Sequence, residues 1–325
     1  RGSMTLYDKD SIRRWVLHVF TPQGLGGLIP ACPSRTEQLA WDYLLAAGKR
    51  TRPLLTAWAW AAMCCPNERE TLRPLIVAVE CFHKASLIHD DMEDGDCLRD
   101  GRATLHRQVG PAVALNAGDL LIAEGYRLLG ECKVDVNRRL ALLVAAARAQ
   151  RKMCVGQGAE LAARGEKPLT VEAMIEVFCL KTSSAFELAL VLAAICAGAD
   201  DEILASLREF SRHLGVAYQV MDDLRDVDES GGSSIIAALA ARESCSIEAA
   251  RELADSIWRR HLLQAKASAD VSNERLARIL SWSLDLVLQT PVSARVPLGA
   301  LPVASGERGP RPKGQRREGS NFLLP

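Results

Sequence analysis

Aromatic residues are scarce in this chain, and so are runs that alternate apolar and polar positions as strands do. Phe, Trp and Tyr together make 5% of the residues, too few to build stacking platforms along a nucleic-acid strand. Charge of one sign is also missing. Forty basic residues balance forty acidic ones, so no global field draws the protein to nucleic acid or an anionic membrane. None of the ten cysteines forms a CxxC pair, and most lie in or beside apolar helical runs, so free thiols in a reducing compartment are expected. No unbroken apolar run approaches the ~20 residues that span a bilayer. Ala185 to Ala199 comes nearest, and Glu187 interrupts it. A cytoplasmic protein without a transmembrane segment is expected.

Ala and Leu in helical periodicity fill the space these absences leave. Arg1-Gly2-Ser3 reads as a leader ahead of a native start at Met4. Helices are expected at about 4–20, 36–47, 53–65, 68–93, 109–130, 136–163 and 170–197, then at about 200–229, 234–241, 246–268 and 272–289. Thr170 and Asp200 read as N-caps, each followed by a first-turn acid. The segments 111–129 and 185–199 are apolar around most of their circumference and belong inside a bundle. The fold expected is all-α, one large helical domain over residues 4–290. Residues 291–325 are expected to be a C-terminal extension, with disorder expected from about 306, where Gly, Pro, Arg and Lys dominate.

Two acid-rich segments stand out, His89-Asp90-Asp91-Met92-Glu93-Asp94 and Gln219-Val220-Met221-Asp222-Asp223-Leu224-Arg225-Asp226. Residues four apart share a helix face, so Asp90 converges with Asp94 and Asp222 with Asp226, with Asp91 and Asp223 alongside. Like charges so close weaken a helix and raise one another's pKa unless cations compensate. Hard divalent ions supply a reason for them, since Mg²⁺ takes one or two carboxylates together with waters and substrate phosphate. The plain alternative is two solvated helix ends. EF-hand loop spacing and its central glycine are absent.

Cations cluster elsewhere. Lys49, Arg50 and Arg52 lie at a helix beginning, where free backbone N–H groups favour an anion. Arg99 and Arg102 follow the first acidic segment, and Lys181-Thr182 interrupts an apolar helix. Taken alone, Lys181 reads equally as a snorkelling surface lysine and His83 as a packed helix histidine.

Together these segments resemble the trans-type isoprenyl diphosphate synthases, the polyprenyl synthetases. The resemblance covers approximately residues 35–290. It rests on Gly48-Lys49-Arg50-Thr51-Arg52-Pro53, Glu80 to Asp94, Gly156-Gln157, Lys181-Thr182 and Gln219 to Asp226. It implies a bundle of the isoprenoid synthase type around a deep central cavity. Asp90, Asp91, Asp94, Asp222, Asp223 and Asp226 would hold three Mg²⁺ ions with an allylic diphosphate. Arg99, Lys181, Thr182 and Gln219 would assist there. Lys49, Arg52 and His83, with Arg50 nearby, would hold isopentenyl diphosphate, and Gln157 would line the reacting region. The implied reaction is ionisation, alkylation and proton loss, in a homodimer. An active enzyme is expected, because all six aspartates are present.

Two departures from the family pattern matter. A second arginine is usual after Arg99, and here Asp100 reverses its charge, with Arg102 as a substitute to consider. A Gly-Lys is usual after the second acidic segment, and here Asp228-Glu229-Ser230-Gly231-Gly232-Ser233-Ser234 follows without lysine. These departures motivate an alternative, a catalytically weak regulatory subunit. A terpene cyclase is disfavoured, because the second segment lacks the Asn/Asp-Ser/Thr-Glu pattern. Product length would be set one or more turns before Asp90. Ala85 and Ser86 are small, Phe82 is a candidate lower floor, and Tyr126 could join it from a neighbouring helix. A product beyond C15, with C20 leading, is the expectation.

Overall fold

Short polar side chains set where the helices begin. The Glu37 backbone N–H donates to Ser34 Oγ at 3.3 Å while Ser34 N–H donates to Glu37 Oε2 at 2.7 Å, a reciprocal capping box. Asp135 accepts from the Asn137 and Arg138 amides, Thr170 from Ala173, Asp200 from Ile203 and Ser246 from Ala249. The computed structural model describes residues 9–28, 33–46, 48–63, 69–164, 169–225, 234–271 and 273–289. The expected features at Asp226, in the loop after it, and across 291–325 lie outside these.

The described chain is helical almost throughout: α1 Lys9–Val19, α2 Arg35–Leu45, α3 Thr51–Met63, α4 Arg69–Glu93, α5 Leu105–Val109, α6 Pro111–Gly130 and α7 Val136–Ala163. Then come α8 Val171–Phe178, a π turn Cys179–Ser183, α9 Ser184–Ala197, α10 Asp201–Arg225, α11 Ile235–Glu243, α12 Ile247–Ser268 and α13 Glu274–Gln289. The all-α expectation holds, with one correction. Between α4 and α5 the chain makes a minimal antiparallel hairpin, β1 Leu98–Arg99 with β2 Arg102–Ala103, Arg99 facing Arg102. Asp100 and Gly101 both have positive φ (50° and 75°), the requirement of a two-residue turn, and Asp-Gly is its usual sequence signal.

α3 and α9 form the interior with α4, α7 and α10 packed against them, and α6 packs on α4. Every residue of α3 from Pro53 to Ala62 is buried, Trp58 and Trp60 among them. A second apolar cluster joins α8, α10, α11 and α12 through Val171, Met174, Phe178, Val216, Val220, Ile235, Leu239 and Ala250. The unit Val171–Ala197 is long and apolar enough to cross a bilayer by length and composition. Its apolar window is 61% buried inside the bundle, so protein already supplies the apolar surroundings.

Two glycines let backbones close on the π turn. A Cβ at Gly215 of α10 would fall 2.4 Å from Ser183 Cα, and one at Gly156 of α7 would fall 2.8 Å from Leu180 Cβ. The turn carries Lys181-Thr182, so the break in helical hydrogen bonding coincides with the polar interruption seen in the sequence. Single-turn π bulges of this kind concentrate at functional sites.

Candidate active site

On α4, Val79, Phe82, His83, Ser86 and Asp90 recur at three- and four-residue spacings and share one face. Below Asp90 this face closes a narrow cavity of about 20 Å³, lined by Arg52, Phe82, His83 and Ser86 and by Ala185 and Leu188 of α9. Arg52 donates from a guanidinium nitrogen to His83 Nε2 at 3.0 Å, and its guanidinium lies 5.4 Å over the Phe186 ring. Burial, reinforced by Arg52, Lys84, Arg99 and Arg50, pushes the His83 pKa well below the usual imidazole range. An arginine can only donate, so His83 is neutral with its proton on Nδ1.

Arg50 is placed differently from its neighbour. It is buried, donating to Glu80 Oε1 at 2.5 Å and to the carbonyls of Ala46 and Leu45 at 2.8 and 3.1 Å, 4.4 Å over Phe20. With φ of 52° it ties the α2–α3 junction to α4, and its contacts are with protein. Lys49 is exposed.

Arginines accompany the first acidic segment. Asp91, 1% exposed, accepts from Arg99 Nε at 2.7 Å and pairs with its terminal nitrogen at 2.5 Å. Asp94 pairs with Arg164 at 2.5 Å, and the same guanidinium donates to the Glu93 carbonyl at 3.1 Å. Asp90 is half-buried. On the second wall Thr182 Oγ1 donates to Gln219 Oε1 at 3.0 Å, and Lys181 pairs with Glu160 of α7 at 2.6 Å. Gln157, 8% exposed, has no hydrogen bond to either amide atom among the described residues. Such a group is costly unless a ligand or water uses it. Asp222 is half-buried, and Asp223 Oδ2 accepts from the Ile235 amide at 2.7 Å, anchoring α11. Glu160 and Arg164 escaped the sequence reading. One turn apart at the end of α7, they find their partners only through tertiary packing.

Among the described residues no group of three or more His, Cys, Asp or Glu side chains is placed to hold a metal ion. The donors are nonetheless the hard carboxylate oxygens that Mg²⁺ takes. That ion completes its shell with waters and phosphate rather than needing an all-protein cage, so the residues present fit it. Asp90, Asp91, Asp94, Asp222 and Asp223 are the candidates.

Of the four residues expected to set product length, Phe82 and Ser86 line the cavity. Tyr126 meets the Phe82 ring edge to face at 5.1 Å, and a Cβ on Gly125 would fall 2.7 Å from that ring. Ala85 is fully buried and lies off the cavity lining.

Comparison with known proteins identifies the architecture. The polyprenyl synthetase family profile matches residues 34–233. The geranylgeranyl diphosphate synthase of Methanosarcina mazei is 33% identical over 227 residues, 69% of this chain and 68% of that protein. The solved geranyltransferase of Helicobacter pylori superposes with a TM-score of 0.75 at 22% identity, over 88% of this chain and 99% of the other. An FPP/GFPP synthase of Zymomonas mobilis gives 0.67 at 28% identity, over 85% and 97%. With the family profile spanning both acidic segments and a relative matched over two thirds of each chain, this protein belongs to the polyprenyl synthetase family.

Proposed function

We propose that the protein joins isopentenyl diphosphate head to tail to an allylic diphosphate, releasing diphosphate, with Mg²⁺ as cofactor. The supporting observation is the placement of the Arg52–His83 pair in an apolar-walled cavity on the same α4 face as Asp90. Lys49, Arg52 and His83 hold isopentenyl diphosphate, while Arg50 fixes the segment that presents Lys49 and Arg52. Arg99, Lys181, Thr182 and Gln219 hold the allylic diphosphate. Asp90, Asp91, Asp94, Asp222, Asp223 and Asp226 hold the ions, three per site in family terms.

When bound, Mg²⁺ neutralises charge on the departing diphosphate. Arg99 and Lys181 do the same from the protein, as preorganised positive charges aimed where negative charge develops. The Thr182–Gln219 hydrogen bond fixes the second wall, and Gln157 lines the reacting region. Phe82, Ala185 and Leu188 exclude water, so the allylic cation meets the isopentenyl double bond. Released diphosphate accepts the proton, and no side chain serves as a dedicated base. The product is C20, with Phe82 and Tyr126 as the floor.

A homodimer completes the proposal. Val136, Leu140 and Val144 repeat every four residues along α7 at 72%, 61% and 39% exposure, an apolar stripe suited to a second copy. Free thiols at Cys81, Cys97, Cys132 and Cys196 support a reducing, cytoplasmic setting.

The test is an assay of purified protein with isopentenyl diphosphate, Mg²⁺ and, separately, C5, C10 and C15 allylic diphosphates. Elongation to C20 is expected, and Asp90→Ala should lower turnover by about a hundred-fold or more. No product from any primer, together with activation of a second synthase on mixing, would replace this function with that of a regulatory subunit, the role that Asp100 and the lysine-free loop would suit.

A further inference from the structure

Lys84 is a residue the proposed chemistry leaves unused, and its placement is unusual. Its side chain is buried, 7% exposed, on α4 immediately after His83. Among the described residues its ammonium makes no hydrogen bond or ion pair, and its partner is the face of Tyr43, 5.3 Å away. An aromatic face returns only part of the hydration that a buried ammonium gives up. The nearest carboxylate along the helix, Glu80, is already paired with Arg50.

The ammonium also lies against the basic segment. Its Nζ is 3.7 Å from where a Cβ on Gly48 would sit, beside the first residue of Gly48-Lys49-Arg50-Thr51-Arg52. The charges around it are Glu80 and Asp100 of one sign and Arg50 and Arg99 of the other. Lys84 therefore stands among Gly48, His83 and the hairpin tip. At that tip Asp100 occupies the position where the family usually carries its second arginine. Arg102, the substitute considered from sequence, is exposed on β2.

We infer that Lys84 is an isopentenyl-diphosphate-binding residue, supplying from α4 the cation that Asp100 removes from the hairpin, an assignment that rests on the function proposed above. On a largely buried lysine, an ammonium with no anionic partner among the described residues is preorganised for a multivalent anion, and the diphosphate would provide the oxygens the protein withholds. Asp100, exposed at the turn, is left free of that contact.

Titration calorimetry of isopentenyl diphosphate into the full-length protein, beside steady-state kinetics, tests the assignment. Lys84→Met should weaken isopentenyl diphosphate binding about ten-fold or more, with KM for the allylic diphosphate within about two-fold of wild type. The same variant should melt higher, because it removes an unpaired buried charge. If Lys84 were instead a structural counter-charge for Glu80, Lys84→Met would melt lower and weaken both diphosphates alike, and the assignment would fall. Lys84→Met/Asp100→Arg should regain isopentenyl diphosphate affinity, and failure to regain it would also count against Lys84. Should Lys84→Met not fold, Lys84→Gln is read by the same titration. Wild type that neither binds nor consumes isopentenyl diphosphate would overturn the proposed function. Wild type that does, with Lys84→Met and Lys84→Gln binding equally well, would overturn this assignment alone.

Discussion

The Arg52 guanidinium donates to Nε2 of His83 across 3.0 Å, fixing that imidazole as a neutral acceptor. Burial comes first among the causes that hold it neutral, and the positive charges of Arg52, Lys84, Arg99 and Arg50 add to it. Because its pKa is depressed from the ordinary value, His83 should not titrate between pH 6 and 8. The KM for isopentenyl diphosphate should accordingly show no His83 step in that window. Nδ1 should also carry a proton visible by NMR of ¹⁵N-labelled protein. An inflexion near pH 6.5 that disappears in His83→Gln would contradict the geometry.

The Asp91–Arg99 pair offers a test linking the acidic wall to metal. Asp91 is 1% exposed and Arg99 14%, so Arg99→Gln strands a buried carboxylate. Removing one partner of such a pair costs about 3 kcal/mol. If Asp91 also serves an ion, Mg²⁺ with inorganic diphosphate should return part of the lost melting temperature in Arg99→Gln, and more than it adds to wild type. Equal gains in both proteins would mean that the two groups interact only with each other.

The helices were legible because their periodicity is long and their starts are marked. Thr170 and Asp200 cap the helices expected of them, and Ser34-Arg35-Thr36-Glu37 carried a capping-box spacing that set α2 one residue earlier than read. Asp100-Gly101 likewise held a hairpin signal that was passed over, since two-residue strands leave no alternation to notice. Residue types alone could not separate Arg50 from Arg52. Two positions apart in one basic run, they differ in that buried Glu80 accepts one and His83 the other. Lys84 was invisible for the same reason. Its burial and its nearness to Gly48 arise only when α2, α3 and α4 meet.

Phe82 is pressed between Gly125 and Tyr126 and lines the cavity together with Ser86. Phe82→Ala should open the floor and shift products beyond C20, at a stability cost of about 3 kcal/mol for a buried Phe. Ser86→Phe, one turn above, should shorten them toward C15. Chromatography of the dephosphorylated products measures both. Because Ala85 lies off the lining, Ala85→Phe should overpack the core and lower the melting temperature instead of selectively shortening the product. A clean shortening in that variant, with stability unchanged, would move the wall to the other side of α4.

The Nδ1 atoms of His213 on α10 and His261 on α12 lie 2.9 Å apart, and His213 Nε2 is 2.8 Å from Glu209. One proton fits between the two rings, and a second would set two N–H donors face to face. Burial, then His213, Arg260 and Arg212, push His261 down to about 4. Between the ordinary value near 6.5 and that point the unfolded chain binds a proton that the folded chain refuses. Stability should therefore be unaffected by this group above about pH 6.5 and fall progressively as pH drops toward 4. His261→Gln should flatten that part of the melting-temperature profile. An unchanged acid slope in His261→Gln would place the proton uptake on other groups and leave the ring pair as packing alone.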